Sequence, residues 1–179
     1  MVRTLARVTA IAALALPMAF VAAEPAAAAV VQTCGHVNGT ATFTPGLTNT
    51  PTDNVVKAKG SETTCTPSAS TGGKGTLTAT LKVPQGSCTK LGAGGQTVYG
   101  TGNTKWANGK VSNYNLALIT GTGANATLAN VKGKVTSGLF SGKSLTGQIR
   151  FKVNGSPTCT AANPVKSVTF ANTKAFVTS

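Results

Sequence analysis

The chain is poor in acid. Of 179 residues only three are Asp or Glu, against sixteen Lys and Arg, and histidine occurs once, at His36. These shortages exclude much chemistry. A glycosidase places two carboxylates on either side of the scissile bond, and beyond Glu24 the only candidates are Asp53 and Glu62. The strand pattern below puts the first in a loop and the second well along a strand. A Ser-His-acid triad would have to use His36, two residues from Cys34, and no Gly-x-Ser-x-Gly elbow is present. No Ser-x-x-Lys is expected in a helical context. Gly72-Gly73-Lys74-Gly75 and Gly92-Ala93-Gly94-Gly95 lack the following helix that would hold a phosphate, and read as flexible connections. The cysteines form no Cys-x-x-Cys, and His36 has no second imidazole to complete a site, so neither a metal nor another cofactor is expected. The chain reads as no enzyme.

Long apolar runs are confined to the start. Arg3 and Arg7 precede an apolar run over residues 8–21 that contains Pro17, and an alanine-rich stretch follows to Ala29. This order is that of a cleavable secretory signal, and the run is shorter than the roughly 20 residues of a membrane-spanning helix. Cleavage fits after Ala23, Ala28 or Ala29, the later sites being favoured. The expected division is a signal peptide over 1–29 and one domain over 30–179, with no transmembrane segment after cleavage. Val31, Gln32 and Thr33 put no small residue directly before Cys34, which favours free secretion over lipid anchoring. The expected location is extracellular, with association to the cell wall as a variant.

What is present is positive charge and β pattern. The signal removes two cations and Glu24, leaving fourteen Lys and Arg against two acids. Such a surface attracts anionic partners or keeps the protein soluble by self-repulsion. Period-two alternation rich in Thr and Val, punctuated by Gly, Pro and Asn, predicts strands over 34–44, 55–65, 76–83, 96–106, 110–120, 128–136, 144–153 and 166–178. Helices have almost no support. Asn108-Gly109 marks a tight hairpin, beside which Trp106 reads as a core or edge-covering residue in preference to a sugar platform. Seven or eight antiparallel strands in a chain of this length predict an immunoglobulin-like β-sandwich, with a closed β-barrel as the alternative.

Four cysteines in an exported chain predict two disulfides. If Thr44 faces Val55 in a first hairpin, Phe43 faces Val56, Ala41 faces Ala58 and Cys34 faces Cys65, which favours Cys34–Cys65 and, by elimination, Cys88–Cys159. Three connectivities remain open, and Cys65–Cys88 is the main competitor. In the hairpin of 128–136 and 144–153, Val131, Gly133, Val135, Leu145, Gly147, Ile149, Phe151 and Val153 share one face. Lys132, Lys134, Arg150 and Lys152 stand on the other with no acid between them. Pairing about the turn centre would set Lys132 opposite Gln148 and Lys134 opposite Thr146. These four cations are the candidate anion-binding residues.

Three stretches carry a resemblance: residues 39–48, the segment Trp106-Ala107-Asn108-Gly109-Lys110, and residues 133–142 with Gly133, Gly138 and Gly142. Together they resemble small exported β-rich proteins of actinobacteria with four cysteines and no assigned activity. The resemblance covers the mature chain and implies a fold and a location, and it carries over no catalytic residue. The high lysine content departs from it. The expected function is that of an exported, non-enzymatic basic β domain that binds an anionic cell-envelope polymer or another surface or secreted protein. A secreted hydrolase or hydrolase inhibitor is the alternative. Nucleic acid is not an expected partner, because arginines and interleaved aromatics are lacking.

Overall fold

A computed structural model of the protein describes residues 31–179, so the expected signal peptide, 1–29, lies outside the described residues. Eight strands follow one another as β1 (Gln32–Leu47), β2 (Thr52–Thr66), β3 (Gly75–Gly86), β4 (Thr97–Trp106), β5 (Val111–Thr120), β6 (Leu128–Gly138), β7 (Ser144–Val153) and β8 (Val165–Thr178). Each pairs antiparallel with the next, and β1 also pairs with β8, so the sheet closes on itself. The all-β class, the antiparallel order and both disulfides, Cys34–Cys65 and Cys88–Cys159, are as expected. Of the two architectures expected, the ladder is that of the closed barrel. An unbroken meander leaves only β1 and β8 with free edges, and joining them removes both.

The first hairpin has the register that sequence parity indicates: Thr44 lies opposite Val55, Phe43 opposite Val56 and Cys34 opposite Cys65. The later hairpin departs from its expected register by two residues. Lys132 lies opposite Thr146 and Lys134 opposite Ser144. The hairpin closes between Val135 and Lys143, the Val135 amide donating to Lys143 O at 2.8 Å, while the next residues bulge between Tyr114 and Asn113 and stay on β5, the Leu139 amide donating to Val111 O. Because the slip is even, every side chain keeps its face.

Among the described residues the one α-helix is short, α1 (Cys88–Ala93). Ser87 caps it, its Oγ accepting from the Lys90 amide at 3.2 Å, and Gly94 ends it at positive φ. Ser87-Cys88-Thr89-Lys90 is therefore a Ser-x-x-Lys in a helical setting, contrary to expectation, with the Ser87 hydroxyl spent as a cap. The Gly92–Gly95 run is the end of this helix and not a free connection. Among the described residues no helix is long and apolar enough to cross a membrane.

Inward positions form a continuous core from Val37 and Ala41 on β1 to Val168, Phe170 and Phe176 on β8. Each fully buried Val, Leu or Phe contributes about 1.5–3 kcal/mol. Several inward positions carry no side chain, and aromatic rings occupy that space. A Cβ at Gly39 would stand 2.6 Å from Phe170, and one at Gly147 would stand 2.5 Å from Phe176. The Phe170 and Phe176 rings therefore lie directly on backbone, and only glycine permits it.

Candidate functional site

An eight-stranded barrel is just wide enough to be filled by its own side chains or to hold one small ligand. Here many inward residues are small: Ala41, Ala58, Ala79 and Ala129 line the lumen beside Val56, Leu81, Leu116, Val131 and Ile149. The result is a cavity of about 150 Å³. Its two ends differ. Toward the connections β1–β2, β3–β4, β5–β6 and β7–β8, the apolar ring of Phe43, Leu91, Val98, Leu118 and Phe151 is only half-buried, and Ser87, Gln96 and Thr120 add polar groups. This end is the mouth. Leu91 reaches it from α1, and Cys88–Cys159 ties that helix to the β7–β8 connection.

The other end is closed. Trp106 is buried, its Nε1 donates to Ser112 Oγ at 2.8 Å, and its ring meets Phe140 edge to face at 6.1 Å between centroids. Trp106 is thus a core plug, in line with its sequence reading. Between plug and cavity lies a polar layer of Glu62, Thr104 and Tyr114, respectively 7, 1 and 4 % exposed. Thr104 Oγ1 donates to Glu62 Oε1 at 2.7 Å and stands 2.8 Å from the Tyr114 hydroxyl. A threonine has one hydroxyl proton, so with that proton on Glu62 the Tyr114 O–H is the donor to Thr104. Gly102 makes room for the ring: a Cβ there would lie 2.5 Å from Tyr114 Cε2.

Burial pushes the Glu62 carboxyl above the ordinary carboxylate range, and the Thr104 hydrogen bond opposes this only in part. Burial, and then the charge of Glu62, push the Tyr114 hydroxyl up, so it remains a protonated donor. The Glu62 shift sets a sign for stability. As pH rises past about 4, the unfolded chain releases this proton while the folded chain keeps it, so stability falls with a slope of up to about 1.4 kcal/mol per pH unit. The fall ends once the folded carboxyl has also titrated. Glu62→Gln is expected to flatten that slope in thermal melts run from pH 4 upward. A variant with the wild-type slope would show that Glu62 is not the group responsible.

The other sequence candidates are dispersed. Asp53 sits at the mouth end of β2 and accepts from the Gln85 amide at 2.9 Å, nine residues and about 30 Å along an extended strand from Glu62. His36 is exposed and pairs with Thr64 Oγ1 at 3.0 Å, on the face of the sheet opposite to buried Glu62. The nearest approach to a metal cluster among the described residues is Cys34, Glu62 and Cys65, but both sulfurs are spent in a disulfide. Lys132, Lys134, Arg150 and Lys152 all face outward. With the observed register, Arg150 lies opposite Leu128, four residues or about 13 Å along the strand from Lys132. The four form two pairs and not one cluster, and Lys57, Lys59, Lys82 and Lys105 extend the cationic exterior around the barrel.

Sequence reading of the charges missed the Glu62 layer, although the signal was there. Val56, Ala58, Gly60 and Glu62 share parity on β2, as do Thr104 and Trp106 on β4 and Tyr114 and Leu116 on β5. Fold and site together define a closed up-and-down β-barrel with an apolar lumen and a polar floor. Compared with protein-family models, curated proteins and solved structures, the chain has no match.

Proposed function

We propose that the protein is a secreted, non-enzymatic binding domain that carries one small apolar molecule in the barrel lumen. The carrying observation is the cavity of about 150 Å³, walled by aliphatic side chains and bounded at one end by a half-buried apolar mouth. Apolar space of this size takes a molecule of about one aromatic ring. Secretion is read from the signal pattern over 1–29 and from two disulfides in a chain with no free cysteine among the described residues. An actinobacterial source is inferred from the resemblance alone.

Toluene is a suitable probe. Titrated into the wild-type protein it is expected to saturate at or below about 1 mM, within the efficiency of a seven-atom ligand. Val131→Phe places a ring in the lumen and is expected to weaken that binding at least about tenfold while the fold is retained. Absence of saturable binding to the wild type would end the lumenal reading.

A second reading concerns the exterior. Asp53 accepts from Gln85 and Glu62 lies in the lumen, so among the described residues no side-chain carboxylate pairs with the outward cations. This favours contact with an anionic envelope polymer through Lys132, Lys134, Arg150 and Lys152. Reversing all four charges is expected to reduce binding to isolated envelopes and to flatten its salt dependence. Unchanged binding across salt concentrations would remove this reading and leave the lumenal one intact.

A further inference from the structure

Among the described residues Glu62 is the one carboxyl in the wall of the lumen, and one of its oxygens has no protein partner. Its Oε1 is taken by Thr104, while among the described residues no protein group hydrogen-bonds its other oxygen. Among the described residues the fully buried side-chain oxygen without a partner is Asn54 Oδ1, so Glu62 Oε2 keeps some accessible surface and is open to a partner that a ligand supplies. The chain of donors runs from Tyr114 through Thr104 to Oε1, so the protonated acid carries its own hydrogen on Oε2, a free donor on a residue that lines both the cavity floor and a smaller space of about 20 Å³ beneath it toward Trp106.

We propose that the lumenal ligand is a neutral apolar molecule bearing one hydrogen-bond-accepting oxygen, of the ketone or ester class, and that Glu62 Oε2–H holds this oxygen at the lumen floor. The inference deepens the lumenal-carrier reading and rests on it. Charge selects the class. Among the described residues the lumen is lined by no Lys, Arg or His, so a ligand carboxylate would be buried without a counter-ion, beside an acid. An ammonium ligand would have to approach a chain with fourteen cations and two acids beyond the signal, and then exchange its hydration for a buried ion pair. A neutral carbonyl meets neither penalty. Orientation follows: the oxygen points toward Thr104 and Tyr114, and the apolar body lies among Ala79, Leu116, Val131 and Ile149 toward the mouth.

The test uses two probes of the same shape, acetophenone and α-methylstyrene, in which C=O is replaced by C=CH₂. Binding is followed by calorimetry and by the methyl resonances of lumenal residues. The wild-type protein is expected to prefer acetophenone by about fivefold or more, the effect of one donor that only the carbonyl satisfies. Glu62→Gln keeps an N–H donor and is expected to retain most of this preference, while Glu62→Leu erases it. Raising pH through the Glu62 titration is expected to abolish the preference in the wild type and to leave it unchanged in Glu62→Gln, because a carboxylate repels a carbonyl oxygen. If both probes bind the wild type equally and shift lumenal methyls, the assignment to Glu62 is overturned and the lumenal reading stands. If neither binds, the lumenal reading itself fails and takes this inference with it.

Discussion

Replacing Cys88 and Cys159 together by alanine is expected to lower the unfolding free energy by about 4 kcal/mol, the chain-entropy contribution of a cross-link closing a loop of some 70 residues. The two cysteines lie 71 apart in sequence, against 31 for Cys34 and Cys65. Their location adds a structural effect. The Cys88 amide donates to Thr48 O at 2.8 Å, and Cys159 O accepts from the Asn49 amide at 2.9 Å. The bridge and these bonds thus stitch the β1–β2, β3–β4 and β7–β8 connections into one rim around the mouth. Without it the rim is expected to loosen, giving faster amide exchange at Leu91 and Asn49 while Trp106 and Tyr114 remain protected. Urea unfolding under non-reducing conditions measures the stability change. A loss below about 1 kcal/mol would mean that the rim holds itself without the bridge.

Trp106→Ala is expected to cost about 3–5 kcal/mol, the range for removing a large buried aromatic and leaving a cavity. Three contacts depend on this ring. Its Nε1–H supplies Ser112 Oγ, which in turn donates to Leu139 O at 2.7 Å, and its edge-to-face contact holds Phe140. The truncation therefore removes the donor to buried Ser112 Oγ, which keeps its own bond to Leu139 O, and opens the closed end toward the Glu62 layer. Trp106→Phe preserves most of the bulk and removes the donor, so it is expected to cost about 1 kcal/mol from the hydrogen bond, plus a small packing loss. Chemical denaturation of the two variants separates these contributions. Equal losses would assign the plug to the hydrogen bond alone.

The parity of the strands made much of this molecule legible beforehand. The apolar set Val131, Gly133, Val135, Leu145, Gly147, Ile149, Phe151 and Val153 faces the core as read, and Cys34 meets Cys65 because Phe43 and Ala41 meet Val56 and Ala58. Closure was harder to read, since an alternating strand looks the same whether its apolar face packs on a second sheet or lines a barrel. What distinguishes them here is the smallness of inward residues, four alanines and several glycines in the wall, which leaves room at the centre of a closed sheet. The hairpin of β6 and β7 differs from its expected register where the end of β6 stays bonded to β5, through a bulge at Asn113/Tyr114 and the Leu139 amide on Val111 O, long-range pairing that local pattern does not reveal. The candidate site was the least legible part. Glu62 counted as an isolated acid on composition, and only closure brings it to Thr104 and Tyr114, 42 and 52 positions later in the chain.

Whether the lumen takes a ligand is decided most directly by methyl-resolved NMR of the wild-type protein titrated with toluene. Saturable shifts are expected at Val56, Leu81, Leu116, Val131 and Ile149, which line the cavity, with Val55, Val111 and Ile119 on the outer face unmoved. Shifts confined to the outer set, or none that saturate, would contradict it.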